Sequence, residues 1–164
     1  MIRQANLEDV SRIAEILIFT KRMTYRPIFQ DDPVSFGEMQ VVSLAEKYIA
    51  HPEQLNKIWV WEDIFVKGLI TLHDYKDERA LQVEELYVEP FFHGEGIGSG
   101  LLTFADKKAV EMGADTLFLW VLEKNEKARH FYEKHGYVQT KERKLEEGTP
   151  EFIVKYQKNM MREL

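Results

Sequence analysis

Apolar residues recur at helical spacing at Val10, Ile13, Ile16 and Leu17, and Asn6 stands where a helix N-cap belongs, so a first helix is expected over about residues 7–25. Pro27 and then Asp31-Asp32-Pro33 interrupt the pattern, and a second helical stretch is expected from Ser35 to about Ala50, where His51-Pro52 ends it. From Ile58 the periodicity changes. The strings IWVWE and IFVKGLITL are rich in β-branched and aromatic residues, and with Glu62-Asp63 between them they predict a hairpin. Gly68 in the second of these strands implies a close backbone approach. A third strand, Leu81 to Val88, leads through Glu89-Pro90 into FFHGEGIGSG and a helix over about residues 97–112. One face of that helix carries Ile97, Leu101, Ala105, Lys108 and Met112, and Gly113 stops it. TLFLWVL then reads as a strand buried on both faces. Asn125 caps a further helix with Ala128, Phe131, Tyr132 and His135 on one side and Gly136 at its end, and EFIVKYQK forms a last strand. The order of elements is that of a mixed α/β (α+β) fold without internal repeats.

Composition narrows the functional classes. The 164 residues are 45% hydrophobic, enough for one sizeable core, and a single domain over residues 1–164 is expected. The formal charge of −6 argues against nucleic acid or an anionic membrane as principal partner, since both require a cationic footprint. With no cysteine, disulfides, Cys-based zinc sites and a thiol nucleophile are excluded. The five histidines form no His-x-x-x-His pair, and no metal is expected. Neither a secretory signal nor an apolar run of ~18 residues is present, so a cytoplasmic protein is the expectation.

The segment His93-Gly94-Glu95-Gly96-Ile97-Gly98-Ser99-Gly100 follows a strand and opens a helix. Several unhindered backbone N–H groups therefore stand at the positive end of a helix dipole, which makes an anion site. A plain flexible turn would waste four glycines in entropy. A dinucleotide fingerprint, the nearest rival, needs a short first strand-to-helix turn, whereas this loop comes late and follows Pro-Phe-Phe.

With these residues in view, the sequence resembles the GNAT superfamily of acyl-CoA-dependent N-acyltransferases. The loop signature Arg/Gln-x-x-Gly-x-Gly/Ala matches His93 to Gly98, with Gly96 and Gly98 on the required glycines. The likeness continues through Glu84-Glu85-Leu86-Tyr87-Val88 before the loop, Asn125 to Tyr132 after it, and Gly136-Tyr137. It covers about residues 58–140 well and the N-terminal helices in outline, with a weaker similarity to polyamine- and diamine-type members. The resemblance implies a central, mostly antiparallel sheet splayed between two parallel strands and flanked by about four helices. It also implies acetyl-CoA as acyl donor, an amine acceptor, and no metal. One departure is His93, where the family carries Arg or Gln; a neutral imidazole brings no fixed charge.

Carried onto this sequence, the resemblance places the coenzyme A pyrophosphate on the N–H groups of Gly94, Glu95, Gly96, Ile97, Gly98 and Ser99, with His93 beside it. Pantetheine would lie along the backbone of Leu86, Tyr87 and Val88, the Val88 N–H would donate to the oxyanion, and Asn125 would hold the cofactor as well as cap its helix. Lys124 or Arg129 could add charge to the anion site. Tyr132 matches the family's tyrosine acid, its phenol being protonated at neutral pH. Glu84 ranks first as the base and Glu85 second; as strand neighbours they point to opposite faces unless a bulge intervenes. Glu84 acts through water, because a carboxylate is weak toward an ammonium. Tyr25 and Phe29, with Glu85, are expected against the acceptor, in a region that also holds Arg26, Asp31, Asp32 and Trp61; acids and aromatics there suit a cationic amine, while Arg26 suits a carboxylate. The expected activity is acetyl transfer to a primary amine by direct attack in a ternary complex. A non-catalytic acyl-CoA-binding module is the alternative, and a homodimer stays open.

Overall fold

The computed structural model describes residues 1–33 and 40–160. Seven strands occur there in one mixed sheet of order β1-β2-β3-β4-β5-β7-β6. They are β1 (Ile2–Gln4), β2 (Ile58–Asp63), β3 (Phe65–Tyr75), β4 (Ala80–Val88), β5 (Thr116–Leu122), β6 (Val138–Leu145) and β7 (Phe152–Asn159). The α-helices among the described residues are α1 (Val10–Phe29), α2 (Val41–Ala50), α3 (Ile97–Glu111) and α4 (Glu126–Lys134). Packing divides the chain into two units, Met1–Thr71 with Glu85–Leu101, and Leu72–Glu84 with Leu102–Leu164.

In the first unit, β1, β2 and β3 pair antiparallel, from Ile2↔Trp61 through Trp61↔Gly68. Val10, Ile13, Ile16 and Leu17 of α1 bury the stripe that periodicity predicts, against Tyr48 of α2 and Ile58, Val60, Val66 and Leu69 of the hairpin. The helix begins as expected: the Asn6 side chain accepts from Glu8 N–H, and Asp9 returns a bond to Asn6 N–H, closing a capping box. It ends later than expected, running through Pro27 to Phe29, where Gln30 adopts a left-handed conformation. Pro27 removes only one ladder bond in the last turn, and the Arg26–Asp32 ion pair at 2.8 Å together with the edge contact of Tyr25 and Phe29 at 5.5 Å holds that turn. The second helix is formed over Val41–Ala50; its expected start at Ser35 lies outside the described residues.

The hairpin turns at Ile64 rather than at Glu62-Asp63. This residue has φ of 69° and is 93% exposed. A β-branched residue there carries strain with no packing to offset it. Ile64→Asn is therefore expected to raise stability by about 1 kcal/mol, read as a higher urea midpoint at unchanged slope.

Arg3 of β1 ties the same unit together. Its guanidinium lies 2.8 and 2.9 Å from the two oxygens of buried Asp9 and 2.6 Å from Glu62. These hydrogen bonds hold the Asp9 carboxyl below the usual carboxylate range, against the upward pull of burial. A carboxylate depressed in the folded state binds fewer protons there than in the unfolded chain. It contributes stability above about pH 4 and loses it as pH falls through the folded value. Asp9→Asn should melt below the wild type at pH 7, with the gap closing below about pH 4; a gap independent of pH would remove Asp9 from that role.

In the second unit, β5 is the central strand. It pairs parallel with β4 from Ala80↔Thr116 to Gln82↔Phe118 and antiparallel with β7 from Thr116↔Asn159 to Leu122↔Ile153, and β6 pairs with β7 across an irregularity between Gln139 and Arg143. The parallel register stops at Gln82, although Val83 and Glu84 continue β4 in the same unit, so the two strands part there. The strand is not buried on both faces as its apolar run predicts: Leu117, Leu119 and Val121 are buried on one face, with Val154 and Tyr156 of β7 beside them, whereas Phe118 and Trp120 on the other are half-exposed. The face of α3 differs from expectation. Ala105 and Ala109 are buried with Leu102, whereas Met112 is 49% exposed and Lys108 pairs with Glu111 at the surface. Neither β1 nor β6 is announced by alternation: β1 has three residues, and β6 exposes charged side chains along nearly its whole length.

Candidate active site

The glycine loop belongs wholly to the first unit. After β4, Pro90–Phe92 make one 3₁₀ turn, and Gly94 and Gly96 follow with φ of 84° and 82°. A Cβ on either would meet nothing within 4 Å, so conformation rather than space requires glycine here, and the loop's surface is open. The first helical bond of α3 is Gly100 N–H to Gly96 O at 3.0 Å, so the N–H groups just before it lie ahead of the helical ladder, where an anion is favoured. Gly100 serves another purpose. A Cβ there would stand 2.5 Å from the Trp61 ring, so this glycine admits a close contact of helix and hairpin. Trp61 therefore packs on α3 in this unit. Gly68 meets expectation, with a Cβ position 3.1 Å from both Ile97 Cγ2 and Tyr87 O.

His93 Nε2 lies 2.9 Å from Val88 O, so this nitrogen donates to the end of β4 and closes the turn on itself. The start of the loop is held from behind as well. Glu89 is buried; its N–H bonds Lys67 O at 2.8 Å and its carboxylate accepts from Arg12 Nη1 at 2.9 Å, while Arg12 Nε donates to Val66 O at 2.8 Å. Lys67 stands 4.6 Å from the Phe92 ring centroid. Arg12 and Glu89 escaped the sequence reading. Their only local signal is a carboxylate wedged between a strand end and a proline.

Each of the two glutamates meets a side chain of β3 within its own unit. Glu85 Oε1 accepts from Thr71 Oγ1 at 3.4 Å, and Glu84 Oε1 lies 3.8 Å from His73 Nδ1. Glu84 is exposed, whereas Glu85 sits beside Lys21 at 3.8 Å. Leu86, Tyr87 and Val88 are half-buried.

Of the residues expected against the acceptor, Tyr25 is linked to β4, its hydroxyl 3.2 Å from that of Tyr87, and Phe29 packs on the Tyr25 ring. A cavity of about 360 Å³ beside them is lined by Arg26, Pro27, Gln30 and Asp32. Arg26 hydrogen-bonds Asp32, which holds that carboxyl below its usual range.

The second unit supplies α4. Asn125 Oδ1 accepts from Ala128 N–H at 3.2 Å, so its capping role is realised. Tyr132 is half-buried, with ring centroids 5.5 Å from Phe131 and 5.9 Å from Tyr137. Arg129 donates to Tyr156 Oη, Glu123 O and Gln139 Oε1, and Lys124 pairs with Glu151 at 3.0 Å. Both cations expected to strengthen the anion site are thus committed within their own unit.

A model of the acetyltransferase (GNAT) family matches residues 22–137. An uncharacterized N-acetyltransferase in the pepI 3′ region of Lactobacillus delbrueckii subsp. lactis is 37% identical over 60 residues, which are 37% of this chain and 35% of that protein. The match thus spans about a third of that relative's length. Among solved structures, the PaiA N-acetyltransferase from Thermoplasma acidophilum in complex with coenzyme A superposes with a TM-score of 0.73 at 21% identity, covering 97% of this chain and 98% of that one. YncA from Salmonella typhimurium with its cofactor acetyl-CoA gives 0.71 at 18% identity, covering 100% and 95%. Among the described residues no helix is long and apolar enough to cross a membrane.

Proposed function

Because the chain belongs to the GNAT acetyltransferase family, we propose that it moves an acetyl group from acetyl-CoA to a primary amine of a small molecule or peptide, by direct attack in a ternary complex. The observation that carries this reading is the loop at Gly94–Gly96, open to solvent and set just ahead of the α3 helical ladder. It fits a pyrophosphate with backbone donors alone, and no additional cation is called for. The donor supplies an activated thioester when bound.

The chain's residues supply the rest. In the first unit, Gly94 to Ser99 receive the anion, and His93 fixes the loop to Val88. The backbone of Leu86 to Val88 aligns the donor, with the Val88 N–H offered to the oxygen that gains charge. Tyr25, Phe29 and Glu85 contact the acceptor. In the second unit, Asn125 sets the start of α4 and Tyr132 gives a proton to the departing thiolate. Exposed Glu84 takes the ammonium proton through water, as a group with solvent access can.

Titration with CoA, followed by thiol release in the presence of amines, tests the reading. Binding with acceptor-dependent release supports an enzyme; binding without release under any amine would favour the non-catalytic module, and the absence of binding would overturn both.

A further inference from the structure

Resting on the acetyltransferase reading, we infer that the acceptor is an amine that also carries an anionic group, held on the open face of the β4-β5-β7-β6 sheet with Lys144 as its anion contact. The face is defined by register. Gln82 pairs with Phe118, Trp120 with Lys155, and Lys144 with Ile153, which in turn pairs with Leu122; paired residues share a face, and alternation places Glu84, Phe118, Trp120, Lys144 and Lys155 together. Opposite residues of β5, namely Leu117, Leu119 and Val121, are buried, whereas Phe118 and Trp120 are half-exposed.

Charge is arranged along this face in order. At β4 stands Glu84, with the His73 ring 3.8 Å away, the proposed acceptor of the ammonium proton. In the middle, Phe118 and Trp120 form an aromatic floor. At the far side the ammonium of Lys155 lies 4.7 Å from the Phe118 centroid and that of Lys144 lies 4.3 Å from the Trp120 centroid. Lys155 is also bound to Glu142 at 3.0 Å, which offsets its charge, so exposed Lys144 is the cation that faces a ligand. Strands stand about 5 Å apart where paired. Lys144, however, reaches back across β7 to the Trp120 ring on β5, the strand beside β4, so an amine at Glu84 and an anion at Lys144 suit the two charged ends of a compact α-amino acid whose apolar side chain lies over the rings. A polyamine would set its second cation against Lys144, where like charges repel. The complementarity is to amino-acid-like acceptors, and it sharpens the expectation of a merely cationic amine.

Matched acceptors test this: phenylalanine against phenethylamine, with spermidine as the dication, measured by thiol release for wild type, Lys144→Gln and Lys144→Arg. The expected result is a kcat/KM for phenylalanine at least ten-fold above that for phenethylamine, lost in Lys144→Gln and restored in Lys144→Arg. Turnover of spermidine or phenethylamine at equal or better efficiency in the wild type would overturn the inference while leaving the acetyltransferase reading intact. So would a preference unchanged by Lys144→Gln. Sedimentation of wild type and Trp120→Ala adds a further arm: a dimer that Trp120→Ala dissociates would show that a second copy covers this face. If CoA binds and none of the three amines releases thiol, while a wider amine panel does, the inference fails; if no amine does, the acetyltransferase reading fails first.

Discussion

Tyr132→Phe is expected to lower kcat by about 10²-fold, the low end of what a positioned acid contributes, while the Kd for CoA changes less than two-fold. A tyrosine hydroxyl carries a proton that a departing thiolate can take, and the phenylalanine variant has none to give. Removing one oxygen preserves the ring contacts with Phe131 and Tyr137, so the fold of α4 should survive. That separation of chemistry from binding is the informative part. An unchanged kcat would take Tyr132 out of the mechanism, and a parallel loss of CoA affinity would recast it as a cofactor contact.

The second large effect concerns the base of the glycine loop. Glu89 is buried and its partner Arg12 is mostly so, with side-chain exposures of 9% and 24%. Removing Glu89 leaves the Arg12 guanidinium with only Val66 O and the more exposed Glu15, 3.3 Å away, and Glu89→Ala should cost about 3 kcal/mol, or roughly 6–12 °C in Tm. Glu89→Gln keeps an acceptor for Arg12 and should lose less. Because Glu89 immediately precedes the turn that presents Gly94 and Gly96, the folded Ala variant should also raise the KM for acetyl-CoA several-fold, with the acceptor KM unchanged. A Tm loss with unaltered donor KM would confine the pair to a structural role. Calorimetry and steady-state kinetics on the same samples decide this.

Residue patterns revealed a good part of this architecture. The stripe of α1, the glycine stops of α3 and α4 and the Asn125 cap are all local signals, and each is realised at or near the expected residue; β5 is a strand where expected, although its continuous apolar run is not buried on both faces. Long-range facts were not readable. Pro27 is carried through α1 because contacts at Tyr25 and Arg26 outweigh one missing bond. Gly100, which looked like part of an anion cradle, is small to make room for a tryptophan some forty positions earlier. Arg12 and Glu89 are 77 positions apart, and no spacing rule connects them.

Strand β6 escaped notice because Lys141, Glu142, Arg143 and Lys144 interrupt any apolar rhythm, and β1 because it is only three residues long. These two strands are the outermost in the sheet order. An outermost strand offers unpaired backbone groups to any neighbouring chain, and a row of charges on one edge with a very short strand on the other is how such recruitment is discouraged. The quality that hid these strands from a periodicity search is thus a guard against intermolecular β-pairing. Neutralising Lys141 to Lys144 should expose a propensity to aggregate that the natural sequence suppresses.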